Sequence, residues 1–291
     1  MEGYWQSDLA RECGCEREGV GVRVCRSTAG ACEVLRVRIG SEEAAMRTGK
    51  PCGRYVTVSR EGIATLGGEE LEETRRVLAV ELREMAERIT GKRIGADFSL
   101  LVVGLGNDEM TPDALGPATV RQISVTRHLT GDGACFSTHI PCEIAAFSPG
   151  VPGRTGLEAV ELVRGAVAAA KPDLVIAVDA LVARETRHLG CTVQLSDVGL
   201  APGGGVGAAR PALSLQSLGA PVLALGVPTV VNTAALLQDA FSHLGVDTTL
   251  KEAEDMLENG GGYLVAPREI DLLVPAAAAL LAGALERAFS Y

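Results

Sequence analysis

Aromatic side chains are scarce here, 3 % of 291 residues, while glycine numbers 35 and alanine is frequent. That composition suits helices packed closely on a sheet. Histidine is rarer still. Its four copies, His128, His139, His188 and His243, are scattered, and none adjoins a serine or cysteine at a recognised catalytic spacing. A Ser/His or Cys/His nucleophile, though such groups assemble in space, has no support in the sequence. No apolar run reaches the length of a membrane span; residues 275–284 are apolar but short, and Gly283 interrupts them. The opening MEGYWQSDLARECGCE has no apolar core, which argues against a signal peptide. Secretion is therefore not expected, and the eight cysteines should be reduced.

Metal and nucleotide motifs are equally thin. Cys13-x-Cys15 has no matching second pair, and Cys135, His139 and Cys142 lack a clear fourth ligand, whereas structural zinc takes four ligands in recognisable pairs. No metal and no cofactor is expected. Gly203-Gly204-Gly205 opens no clear helix, and Gly104-x-Gly106 lacks the third glycine of the dinucleotide fingerprint. A net charge of −10 argues against nucleic acid as a direct partner. At this length the chain is expected to be a single α/β domain over residues 1–291, with ample core.

What is present centres on LLVVGLGNDEMTPDALGP, residues 100–117. Leu100, Leu101, Val102 and Val103 read as a parallel strand buried on both faces. Gly104 and Gly106 end it, and Pro112 stiffens the loop before Asp113. PDLVIAVDALVA, residues 172–183, has the same grammar: an apolar run, 174–178, expected to end in Asp179. A carboxylate at the end of a buried strand is costly to desolvate unless it faces a cleft. In open α/β sheets the clefts lie at the carboxyl ends of strands. Two such acids suggest a pair in which one is ionised and one protonated. The alternative is that each Asp caps the segment that follows it.

Around these stretches the pattern predicts antiparallel strands within residues 31–60, forming an edge hairpin or a small extra sheet. A one-striped helix is expected over 69–89, stopped by Gly91. Further expectations are a helix over 114–128, a short strand over 134–139 and a Pro/Gly-rich loop over 144–156. A helix over 157–170 should lead into the Asp179 strand. Strands over 192–195 and 221–227 and helices over 229–244 and 268–289 complete the set; the last suits packing on the sheet or on another subunit. Residues 199–207 read as a glycine-rich wall, 247–262 as a polar mobile stretch, and the first thirty residues show little periodicity. The sum is a three-layer α/β/α fold with a mostly parallel sheet and a small N-terminal β-rich extension.

Several phrases carry a resemblance: TPDALGP, VTRHL, PGVPGRTG, VDALVAR, QLSDVGLAPGGGVGAAR and LGVPTVV, with GRYVTV and VAPREID near the two ends. In order and over most of the chain they resemble the spore germination protease family, atypical aspartic endopeptidases. The resemblance implies that Asp113 and Asp179 are the essential aspartates. It also implies that the substrates are the small acid-soluble proteins that coat DNA in dormant spores. A cytoplasmic enzyme of the forespore or spore core, a homotetramer and a zymogen are implied as well. Ser7-Asp8-Leu9-Ala10 matches the region where the precursor is trimmed, so residues 1–8 would be a short prosegment; a frayed terminus is an equal alternative from the residues alone. Two other functions remain open: a hydrogenase-maturation-type, metal-dependent endopeptidase, which shares the G-x-G-N strand end, and a catalytically silent peptide-binding relative.

Overall fold

The computed structural model describes residues 7–13, 18–129, 142–202, 210–246 and 263–289. Nine strands among them form one sheet: β1 (Val22–Ala29), β2 (Cys32–Ile39), β3 (Gly53–Ser59), β4 (Ser99–Gly104), β5 (Glu143–Phe147), β6 (Leu174–Ala183), β7 (Thr192–Ser196), β8 (Val222–Asn232) and β9 (Leu264–Val265). Their order is β1-β2-β3-β7-β8-β6-β4-β5, with β9 beside β8. The strands β8, β6, β4 and β5 run parallel, and β1, β2, β3 and β7 continue the sheet through antiparallel pairs. The β-rich region is thus not a separate sheet. The helices are α1 (Glu42–Thr48), α2 (Gly68–Thr90), α3 (Leu115–Val120), α4 (Pro152–Thr155), α5 (Ala159–Ala170), α6 (Leu215–Leu218), α7 (Thr233–His243) and α8 (Ile270–Phe289).

The three expected layers are present. Alternate residues of each buried strand go to opposite faces. Leu100, Val102, Leu174, Ile176, Leu223 and Leu225 meet Leu78, Leu82 and Met85 of α2 and the apolar stripe of α8. Leu101, Val103, Val175 and Ala177 meet Val160 and Val163 of α5 and Leu218 of α6. Helix α8 is 20 residues long and apolar enough to cross a membrane by length and composition. That is longer than the short apolar run noted in the sequence. It nevertheless lies in the core, where Leu273, Ala277, Leu280, Leu281, Leu285 and Phe289 are buried against α2 and the sheet.

Several local expectations are corrected. The helix after the Asp113 loop is α3 alone. Beyond it, Thr126 is drawn to the sheet: its N–H donates to the Ile144 carbonyl at 2.9 Å and its hydroxyl to the Cys142 carbonyl at 2.7 Å. Residues 144–147, expected to begin a loop, belong instead to strand β5, which pairs with β4. The strand β8 runs through Pro228 to Asn232, so α7 starts later than expected. The first thirty residues contain β1, whose pattern is mostly exposed and which exists through its pairing with β2. The strand expected over 134–139 and the mobile stretch expected over 247–262 lie outside the described residues, as do most of residues 199–207.

Candidate active site

The two acids come from neighbouring strands. The strand β4 ends at Gly104, opposite Val178 of β6, so Asp179 is the first β6 residue beyond its neighbour. The strand does not stop there, however. It continues to Ala183 because β8 remains beside it, with Asp179 opposite Gly226. Asp179 is therefore buried within a strand and not at its end.

Asp113 closes a short 3-10 turn, Thr111–Asp113, and is held above the end of β4. Its Oδ2 accepts the Asn107 N–H at 2.7 Å, and its own N–H donates to the Met110 carbonyl at 2.8 Å. Gly106 has φ +109°, and a Cβ there would stand 2.0 Å from the Asp113 carbonyl oxygen. Only glycine allows that approach. Neither acid caps a helix. Helix α3 has no side-chain cap, and the Oδ1 of Asp179 accepts from the N–H of Ala180, next along the strand, at 2.9 Å.

Asp113 and Asp179 line one cavity of about 340 Å³, together with Asp8, Glu158, Thr229 and Arg210. Burial pushes the Asp179 carboxyl well above its ordinary value, and the charges of Asp113 and Asp8 push it further. Asp113 is also raised by burial, against the Asn107 hydrogen bond and the nearby Arg210 charge, which lower it. The sequence pair is thus brought together. Among the described residues, no group of three His, Cys, Asp or Glu side chains is placed to hold a metal ion.

Sequence reasoning missed the third acid. Residues 7–13 are not frayed: Ser7, Leu9, Ala10 and Glu12 are buried. Asp8 pairs its main chain with Val182, its N–H donating to the Val182 carbonyl at 3.0 Å, while its Oδ2 accepts the Val182 N–H at 2.8 Å. Burial raises the Asp8 carboxyl, partly offset by that bond and by Lys50. Gln194 grips the peptide on both sides of Leu9, accepting from Ala10 N–H at 2.6 Å and donating to the Asp8 carbonyl at 2.5 Å. Leu9 itself fills an apolar site with Leu181, Ala183 and Val231. Glu12 anchors the segment, accepting from Ser7, from the Arg184 and Glu185 N–H groups and from His188 Nδ1. Burial would raise Glu12, but these four donors outweigh it and hold the carboxyl below its ordinary value. Tyr4 and Trp5, the expected anchors of a prosegment, lie outside the described residues. A second cavity of about 1100 Å³, lined in part by Ser7, Glu12 and Cys13, shares Asp8, Leu181, Leu200 and Ala201 with the first. The phrases SDLA and LGVPTVV carried the missed residues Asp8 and Thr229, but neither showed that its residue lines the cavity of the acids.

A carboxylate pair with raised proton affinity, in a cavity over the parallel strands of an α/β sheet, is the site of a candidate hydrolase. Comparison with known proteins narrows that class: residues 6–260 match the germination protease family, and the chain belongs to it. It is similar to the germination protease of Caldanaerobacter subterraneus subsp. tengcongensis, 37 % identical over 91 % of this chain and 87 % of that one. It is likewise similar to that of Bacillus subtilis, 41 % identical over 70 % of this chain and 55 % of that one. A weaker likeness, TM-score 0.32 at 18 % identity, is to a nickel–iron hydrogenase maturation protease of Thermococcus kodakarensis KOD1. It covers 65 % of this chain and 92 % of that one, and at that level it carries no inference about activity.

Proposed function

We propose that this germination protease is an aspartic-type endopeptidase whose catalytic pair is Asp113 and Asp179. The observation that carries the reading is the meeting of the two carboxyls in one cavity, with the deeper one raised by burial first and then by the charge of the other. Asp179 holds the proton, because it is the more buried and faces both Asp113 and Asp8. Asp113, with Arg210 nearby, is the ionised partner and takes a proton from the attacking water. As the water oxygen bonds to the scissile carbonyl carbon, Asp179 donates to the carbonyl oxygen. Asp113 then passes its proton to the amide nitrogen, the C–N bond breaks, and one hydroxyl proton of the tetrahedral diol returns to Asp179 as the new carboxyl forms. General acid–base help of this kind is worth about 10²–10⁴ in rate.

The substrates in this reading are the small acid-soluble spore proteins, cleaved in the cytoplasm of the forespore or spore core. The enzyme acts without a cofactor, metal or membrane and without touching nucleic acid itself, as a homotetramer made as a zymogen. Insertion of residues 7–10 beside Asp179 supports a trimming point between Asp8 and Leu9, with residues 1–8 as the prosegment. Incubating the purified chain with purified small acid-soluble proteins, with and without chelator, tests the proposal. Cleavage insensitive to chelation is expected. Loss on chelation with rescue by a divalent metal would move the reading to the metal-dependent alternative, and no cleavage to a peptide-binding relative.

A further inference from the structure

The phrase LGVPTVV has a structural oddity at its centre. Leu181 of β6 lies opposite Pro228 of β8, but Val182 lies opposite Val230, so Thr229 is the extra residue of a β-bulge. A bulge re-aims a side chain that regular pairing would commit to the alternating pattern. Pro228 is tolerated at this break, since a bulge can spare the N–H that proline lacks. Its carbonyl is used nonetheless, accepting the Gly190 N–H at 2.9 Å.

Thr229 is fully buried, and its hydroxyl donates to the carbonyl of Pro112 at 2.7 Å. Pro112 immediately precedes Asp113. The other bonds on Asp113, from Asn107 and to Met110, lie within its own loop and fix its local shape. The Thr229 bond is of a different kind. It ties that loop to β8, three residues along from Gly226, the partner of Asp179.

We propose that the Thr229 bulge is a positioning device that sets the separation of the two acids by fastening the Asp113 loop to the strand paired with Asp179. This rests on the reading of Asp113 and Asp179 as the catalytic pair. Thr229 acts through Pro112 and is a positioning residue, not a catalytic one. A misplacement of about 1 Å can cost about 10²-fold in rate, so one buried hydroxyl can matter at this point. Among the described residues, the charged groups that line the cavity with Asp179 are Asp113, Asp8, Glu158 and Arg210, and the first two act directly on its carboxyl. Of these, Asp113 is the one that loss of the Thr229 bond would let drift.

The test compares Thr229→Val, which keeps the shape and removes the hydroxyl, with Thr229→Ser, which keeps the hydroxyl. Thr229→Ala carries the valine expectation if the valine variant does not fold. With small acid-soluble protein as substrate, Thr229→Val should lower kcat about ten- to a hundredfold with little change in KM. Thr229→Ser should stay near the parent. Carbon-13 NMR titration of the Asp carboxyls reports on the geometry without using activity. In Thr229→Val, Asp179 should titrate at lower pH than in the parent, since Asp113 no longer sits as close, and the upper limb of the pH–rate profile should move the same way. Parent-like kcat and titration in Thr229→Val, or an equal loss in valine and serine variants with Asp179 titrating unchanged, would overturn the inference. Absence of cleavage by the parent would instead refute the proposed function, and the titration alone would then decide the role of Thr229.

Discussion

Gly226 stands directly opposite Asp179 across the β6–β8 pair, and a Cβ at Gly226 would lie 2.5 Å from the Asp179 carbonyl oxygen. It would also meet Leu181 at 2.7 Å. The neighbour cannot yield, because the closest atom is backbone in the middle of a sheet. Gly226→Ala should therefore cost about 1–3 kcal/mol in stability, as overpacking does, and displace Asp179. Denaturant unfolding and cleavage kinetics on the same preparation check it. Unchanged stability and unchanged kcat would show that the strands part at this point without cost.

Asp179 should also weaken the fold at neutral pH. Its folded pKa lies above its unfolded one, so its contribution is fully present below about pH 3.8, the ordinary carboxylate value, and is lost as pH rises through the raised value. Asp179→Asn removes that loss. It should melt a few degrees higher than the parent at pH 7–8, about 2–4 °C per kcal/mol for a chain of this size, with the gap closing toward pH 4. Calorimetry across that range reads it. A variant less stable than the parent at pH 8 would contradict the burial account.

Glu12 has the opposite sign. Its hydrogen bonds depress its pKa, so it stabilises above its ordinary value near 4.5 and the benefit is lost as pH falls through the depressed value. Glu12→Ala leaves the Arg184 and Glu185 N–H groups and His188 without their buried acceptor, at about 1–3 kcal/mol for each unsatisfied group. The effect should be local as well as global. Amide exchange over residues 7–13 should accelerate far more than in β4 or β6. Uniform acceleration would mean that the segment is not a separable unit.

The buried strands are legible because short continuous apolar runs need no partner to be recognised: 100–103 stops at Gly104, and 174–178 stands between Asp173 and Asp179. The one-striped helix α2 was legible for the same reason. Pairing was not. The strand β1 is mostly polar and exposed, and only its register with β2 makes it a strand. Asp179 reads as a strand end because the apolar run stops directly before it; what keeps β6 going is β8 beside it, which sequence spacing does not reveal. Pro228 suggested the end of β8, since proline breaks a ladder, but the bulge at Thr229 removes that conflict. The site was half legible. Asp113 and Asp179 sit beside strong strand signals, whereas Asp8 and Thr229 reach the cavity through an inserted segment and a register slip.

If residues 7–10 occupy a trimming site, processing should depend on the acids. The parent should lose its first eight residues after acidification and drying, while Asp113→Asn keeps them. Intact mass spectrometry distinguishes the two. Equal full-length masses, with a fully active parent, would leave the segment a structural element only. Sedimentation of the same samples tests the proposed tetramer, and a monomer at micromolar concentration would reject it.

The central claim is that Asp113 and Asp179 act together on the scissile bond. The most direct measurement is the turnover of small acid-soluble protein by Asp113→Asn and Asp179→Asn, each first shown to be folded by its melting transition. The account predicts that each variant loses about 10²–10⁴ of the parent kcat. The double variant should lose little more than either single one, as groups that act as a unit do. Near-parental turnover by either folded variant would contradict it.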